Sequence, residues 1–432
     1  MIAADRPVQR PPEAKLLAID PAGHLRHLLR DTFIDLLRPG DLVIANDAAT
    51  LPASLRGEHA PSGGSIEVRL AGWRSFAGED VSHFAAVVFG AGDYSTPTER
   101  RPLPPRLTAG DRLALGPLSA TIIAILGHPR LVLLQFDGPP DAIWAGIARH
   151  GRPIQYAHIA APLALWDVWT VIAGPPVAFE PPSAGFALNW RALDALRARG
   201  VRFATLTHAA GISSTGDDEL DKRLPLEEPY DIPATTARSI ASARARGGRI
   251  VAVGTTVVRA LEHAAGNDGV VRAGPGLATG RLDATSRLSV VDAILTGTHE
   301  RGSSHHDLLR AFADEATLER ADEELRAYGY RTHEFGDAIW IERTRAQWET
   351  TRSITGEAMV TATSRFADAP VLAQICARGL VRRECGSHQL PEARRMIHPL
   401  QVHQLVNHHV IADVGRHVHE SPVETDVTAP RA

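Results

Sequence analysis

The sequence predicts an α/β domain carrying an inserted antiparallel β-barrel. Three observations lead there. A strand-like DLVIAND closes near residue 47 and is followed, from about 55 to 150, by short apolar runs broken by Gly, Pro or charged turns, the spacing of a small barrel. From about 155 onward helix-sized segments alternate with short apolar runs, the rhythm of a layered α/β unit. The span after about 345 has neither pattern.

In chain order, KLLAID reads as a first strand, and HLRHLLRDTFIDLL has helical spacing before the turn RPGD. DLVIAND is a mostly buried strand with a polar end. IEVRLAG, SHFAAVVFG, DRLALG, ATIIAILG and RLVLLQF supply the barrel strands. NWRALDALRARG is then a helix stopped by glycine, RFATLTHAAG a strand with its loop, and IPATTARSIASARARGG a second glycine-stopped helix. RIVAVG and TTVVRALEHAAG form the next strand and helix, SSHHDLLRAFA and ATLERADEELRAYG two more helices, and GDAIWIE the close of the domain. The predicted division is residues 1–54 with 155–345 for the α/β domain, 55–154 for the barrel, and 346–432 for an extension, partly disordered or a short appended module.

The 432 residues, 44% apolar and 22% charged, suffice for two cores. A formal charge of −4, from 46 basic and 50 acidic residues, weakens a nucleic-acid reading and leaves room for a local basic patch. Lysine occurs only at Lys15 and Lys222, so arginine carries nearly all the positive charge. With no apolar run of membrane length and no secretion-signal core in MIAADRPVQRPPEAK, the expected compartment is the cytoplasm. Cys376 and Cys385 are the only cysteines, which excludes a disulfide framework. Their spacing with His388 and His398 fits no common structural zinc pattern, and no metal is expected.

Candidate chemistry gathers at strand ends, where open α/β sheets bind ligands. In VAVGTTVVRALEHA, residues 251–264, a strand runs into Gly254, and Thr255 or Thr256 can cap the following helix, leaving backbone N–H groups for an anion. Arg259 and Glu262, three apart, share one helical face; they form either a local ion pair or an anchor for an anionic ligand group. Asn46 and Asp47 end one strand and His208 another. Asp47 can accept ribose hydroxyls or an amine, and His208 can carry a proton near neutrality. EPPSAGF offers Ser183 and a flexible Gly185 in a turn able to close over a planar ring, and Glu228 of EEPYDIP is presented ahead of a helix. Each of these also has an ordinary structural explanation as turn, cap or solvated charge.

Several of these stretches resemble the S-adenosylmethionine:tRNA ribosyltransferase-isomerase family of queuosine biosynthesis. VGTTVVRALE at 253–262 and LLRPGDLVIANDAATLPASLRG at 36–57 follow two of its signatures, and PPSAGF, PG at 275–276, LTGTHERGSS at 295–304 and YGYRTHEFGDAIWI at 328–341 follow in its order. The resemblance spans roughly residues 15–342. It implies an α/β domain with an inserted barrel, and transfer and isomerisation of the ribosyl part of S-adenosylmethionine onto the aminomethyl group of a 7-deazaguanine base in tRNA. The products would be epoxyqueuosine, adenine and methionine. It also implies that Thr255, Thr256, Arg259, Glu262, Asn46, Ser183, Gly185, His299 and Ser303 hold the donor, with His208, Glu228 and Asp47 in catalytic roles.

The chain is nevertheless a divergent member. Where the family has NDTRVIPARL it has NDAATLPASL, losing a threonine and two arginines to Ala48, Ala49 and Ser54. PTAGLHF becomes PSAGFAL, with Ala187 for histidine; the histidine of MHxE becomes Leu226; and the asparagine and proline of TNFHLPKST become Gly297 and Arg301. Lost arginines remove forks suited to phosphate or carboxylate. Two alternatives therefore stand beside the family reaction: a paralogue using the same donor on a small deazapurine or other nucleoside, and a noncatalytic nucleoside- or RNA-binding relative.

Overall fold

The computed structural model describes residues 1–73, 76 and 81–343; the predicted extension at 346–432 lies outside the described residues. Nine strands make the main sheet, in the order Gly274–Ala278, Glu228–Ile232, Arg202–His208, Leu42–Asn46, Ile250–Val253, Ala293–Gly297, Ala338–Glu342, Lys15–Ile19, Leu25–Leu29. The middle four run parallel, and antiparallel strands extend the sheet beyond both of its sides. Leu42–Asn46 is buried at all five positions, as a parallel strand covered on both faces must be. Alternate side chains go to opposite layers. Leu42 and Ile44 join the core that includes Ile240, Val257 and Leu261, whereas Val43 and Ala45 join the one that includes Leu196, Val251 and Trp340.

Beyond Asn46 the chain builds a closed six-stranded antiparallel barrel, ordered Leu118–His128, Leu131–Phe136, His83–Phe89, Gly64–Gly72, Ser54–His59, Arg112–Leu115. The molecule is thus an α/β domain with an inserted antiparallel barrel.

Three local expectations change. HLRHLLRDTFIDLL is not one helix: Leu25–Leu29 pairs antiparallel with Lys15–Ile19, and only Arg30–Leu36 turns, as a 3-10 helix. The Asp20 carboxylate accepts the Ala22 and His24 N–H groups and so closes a hairpin, and sheet pairing overrides the helical spacing. Ser54–His59 adds a barrel strand; Arg56 and Glu58 face out while Leu55 and His59 face in, a charged exterior that reads locally as a turn. Pro140–His150 is a helix, and its Ile143, Trp144 and Ile147 pack into the barrel core.

Candidate functional site

The carboxyl ends of the parallel strands open into a cleft of two adjoining chambers. The inner one has about 810 Å³ between its walls, open solvent included. Its walls are the turn Glu180–Ala184, the loop Ala210–Ser213, the helix start Gly254–Thr256 with Arg259, and Thr296, His299 and His305. The outer chamber shares Glu180, Ser183, Ser213, Arg281, His299 and His305 with it and extends to Thr98 and Glu99 of the barrel, to Asp218, Asp221 and Lys222, and to His158, His333 and Glu334.

The floor of the inner chamber is a buried charge cluster. Glu228 opens the strand Glu228–Ile232 and is 5% exposed. Its Oε2 is paired with Arg259 and its Oε1 accepts the Gly211 N–H at 2.7 Å. Burial pushes the Glu228 carboxyl up, but the Arg259 charge, His208 and the Gly211 N–H outweigh it and hold the group at about 2. Arg259 donates further to the carbonyls of Ala278 and Gly280, each at 3.3 Å. It reaches the chamber as a neutralised pair, not as a free cation.

Several sequence assignments change here. Glu228 is too acidic to exchange a proton near neutrality, so its place is structural and electrostatic. His208 is fully buried and does not line either chamber; its Nε2 stands 3.2 Å from Glu228 Oε2, without the alignment of a hydrogen bond. Glu262 does not pair with Arg259. It accepts the N–H groups of Ser289, Val290 and Val291 and the Ser289 hydroxyl, which ties the helix Thr255–Ala265 to that loop. Asn46 is consumed in clamping strand ends, its amide donating to the His208 carbonyl and its oxygen accepting the N–H groups of Ala48 and His208. Asp47 accepts the Thr207 hydroxyl at 2.7 Å and also stands outside both linings; burial raises its carboxyl above the usual range, against the Thr207 hydrogen bond.

Thr255 and Thr256 do line the inner chamber, although neither caps the helix. Gly254, at φ +99°, occupies the cap position with no side-chain bond, a conformation that suits glycine. Ser183 reaches both chambers. Gly185 does not reach either: it is buried in the 3-10 turn Ser183–Ala187, where a Cβ would lie 3.0 Å from Thr170 Cγ2, so its need is packing room and not flexibility. His299 contacts Thr296 Oγ1 through Nε2 at 3.0 Å, and burial, with neighbouring histidines, pushes its imidazole well down, leaving it neutral. Ser303 sits at the rim of the outer chamber and caps the helix Ser304–Leu309, accepting the His306 N–H at 3.2 Å.

Glu180 is the site residue that the sequence reading missed. It is 8% exposed, borders both chambers, and accepts the Tyr156 hydroxyl at 2.5 Å. Burial pushes its carboxyl up, the Tyr156 hydrogen bond opposes this, and the nearby Glu334 charge adds to it, for a value of about 7. EPPSAGF contains it, but nothing local announces that Tyr156, 24 positions earlier, would bury it. His305 was likewise inside SSHHDLL and packs edge-on against His299 with ring centres 4.8 Å apart.

Comparison with known proteins gives a consistent answer. A profile of the family described as "Queuosine biosynthesis protein" matches residues 1–341. A protein of Methylobacterium sp. (strain 4-46) named S-adenosylmethionine:tRNA ribosyltransferase-isomerase is 33% identical over 362 residues, covering 79% of this chain and 95% of its own. One of the same name from Sorangium cellulosum is 31% identical with the same coverages. A crystal structure of an S-adenosylmethionine tRNA ribosyltransferase from Thermotoga maritima aligns with 79% of this chain and 96% of its own, at 24% identity and a TM-score of 0.42. Because the profile runs from the first residue through the last strand of the main sheet, the chain belongs to the queuosine biosynthesis protein family.

Proposed function

We propose that this protein transfers and isomerises the ribosyl part of S-adenosylmethionine onto the aminomethyl group of a 7-deazaguanine base in tRNA, releasing adenine and methionine. Family membership and the names of the relatives support the reaction class. The observation that carries the reading at this site is Glu180, a carboxyl at about 7 placed where the inner chamber meets a wider outer one. A two-substrate transfer needs its proton carrier at that junction.

In this reading the nucleoside lies against Pro181–Ala184 and the helix start at Thr255 and Thr256, above the Glu228–Arg259 pair. The sulfonium acidifies the adjacent C5′–H bond. Ionised Glu180 takes that proton, the Tyr156 hydroxyl steadying its carboxylate, and neutral His299 and His305 offer ring nitrogens to the departing adenine. Ser303 belongs to the acceptor rim. Asn46, Asp47, His208, Glu262 and Gly185 support the walls.

A specific observation favours a second acceptor. Six acidic residues line the outer chamber, Glu99, Glu180, Asp218, Asp221, Glu300 and Glu334, against Lys222 and Arg281. Such walls attract a protonated aminomethyl group and repel phosphates, which suits a small deazapurine amine. Incubation of purified protein with S-adenosylmethionine and either tRNA bearing the aminomethyl base or the free base, with chromatography of adenine and methionine, decides between them. Release with tRNA alone supports the first acceptor, and release with the free base alone supports the second. Donor binding without release under either condition would leave a binding protein and refute both.

A further inference from the structure

Away from Glu180, the far wall of the outer chamber carries a cluster that no step above uses. His158 follows the barrel helix, while His333 and Glu334 lie in the turn before the strand Ala338–Glu342. One ligand atom from each can be chosen so that all three lie within 4.8 Å of one another. His158 Nε2 and Glu334 Oε2 are 3.2 Å apart, close to the separation of two ligands on one metal with bonds of about 2.1 Å. His333 stacks on His158 with ring centres 4.3 Å apart.

His333 is the only non-glycine residue with positive φ, +70°, among the described residues. A residue with a Cβ held in the left-handed region costs free energy and persists where surrounding structure or function requires it. Here that conformation brings its imidazole to the His158–Glu334 pair. Two imidazoles and one carboxylate form a donor set of intermediate softness, suited to divalent zinc, cobalt or iron rather than calcium or magnesium.

We infer that His158, His333 and Glu334 bind a divalent transition-metal ion of the zinc class, with at least one coordination position open to the outer chamber. Three protein ligands leave such a position in a four-coordinate site. An imidazole lone pair lies in the ring plane, so His333 must turn out of its stack on His158 to share an ion with His158 and Glu334. No local pattern announces the cluster, since His158 and Glu334 are 176 positions apart.

The test uses the full chain without an affinity tag, stripped with a chelator and titrated with Zn²⁺ by calorimetry and with Co²⁺ by visible absorption. The expected result is one tight equivalent whose affinity falls at least tenfold in H158A and in H333A, since even outer partners of metal ligands are worth ten- to a hundredfold. Cobalt should give ligand-field bands lost in both variants. Zinc binding of equal stoichiometry and affinity in wild type and both variants would place the ion elsewhere in the chain and overturn the inference, as would no binding at all. If a variant does not fold, paramagnetic broadening by Co²⁺ of the His158 and His333 ring signals in the wild type supports the site, and sharp signals overturn it. None of these readouts depends on ribosyl transfer.

Discussion

Glu228 and Glu180 border the same inner chamber and titrate in opposite directions, because the Arg259 cation outweighs burial at Glu228, whereas burial and the Glu334 charge outweigh the Tyr156 hydrogen bond at Glu180. The Glu228 carboxyl, moved down from about 4.5 to about 2, contributes stability present above about 4.5 and lost as pH falls toward 2, on the order of 3 kcal/mol. Removing its partner strands a buried charge. Arg259→Ala is therefore expected to destabilise the protein by about 3–5 kcal/mol at neutral pH, and the double variant with Glu228→Gln to recover much of it. Denaturant unfolding of the cycle measures this; additive single effects would refute the pairing. The Glu228 pairing was not legible in the sequence, because Glu228 is 31 positions from Arg259 whereas Glu262 is only three.

For Glu180 the sign is opposite. Its carboxyl is raised, so its contribution is present below about 4.5 and lost as pH rises through about 7. Glu180→Gln should match wild type in stability near pH 5 and exceed it near pH 8, by an amount on the order of 3 kcal/mol. If Glu180 is the base, the same variant should lower adenine release by about 10²–10⁴-fold and abolish a rate limb that rises through about pH 7. Retention of that limb in the variant would assign the proton to another group. Thermal melts at the two pH values separate the two effects.

At the scale of elements, the helix Thr255–Ala265 shows what its pattern disclosed and what it hid. The strand, the glycine exit, the helix and the position of its start on the cleft were all legible, since they rest on local periodicity. The partners of its polar residues were not, because they come from loops distant in sequence. Glu262 accepts from three successive backbone N–H groups at 289–291 and anchors the helix without lining the chamber. Glu262→Ala would leave those donors without their carboxylate and cost about 3 kcal/mol, with donor affinity unchanged. A calorimetric titration with S-adenosylmethionine beside a melting curve checks this; weakened binding without lost stability would return Glu262 to the site. The misread segment 24–37 teaches the same lesson in the other direction. There the local pattern was helical, and pairing with Lys15–Ile19 decided the outcome.

At the scale of the molecule, the two architectures meet at the outer chamber, where Pro97, Thr98 and Glu99 from the barrel face Asp218, Asp221 and Lys222 from the α/β domain. The alternation of short runs and helices made both architectures readable, but which loops would touch depends on how the barrel sits on the sheet, and no periodicity encodes that. Gly216 is one point of close approach. It has φ +67°, and a Cβ there would lie 2.4 Å from the Glu99 backbone nitrogen and 2.5 Å from the Thr98 carbonyl carbon. Neither neighbour is a flexible side-chain tip, so Gly216→Ala must displace the barrel loop or its own. The inner chamber is lined by neither Gly216 nor Thr98 and Glu99, although Ala210–Ser213 of the Gly216 loop border it, so the disturbance is expected to fall mainly on the outer chamber. The variant should therefore raise the KM for the acceptor severalfold and leave donor affinity at the wild-type value, measured by adenine release at saturating donor and by calorimetry. Equal losses for donor and acceptor would mean that the chambers deform together, and the division of the cleft into a donor side and an acceptor side would not hold.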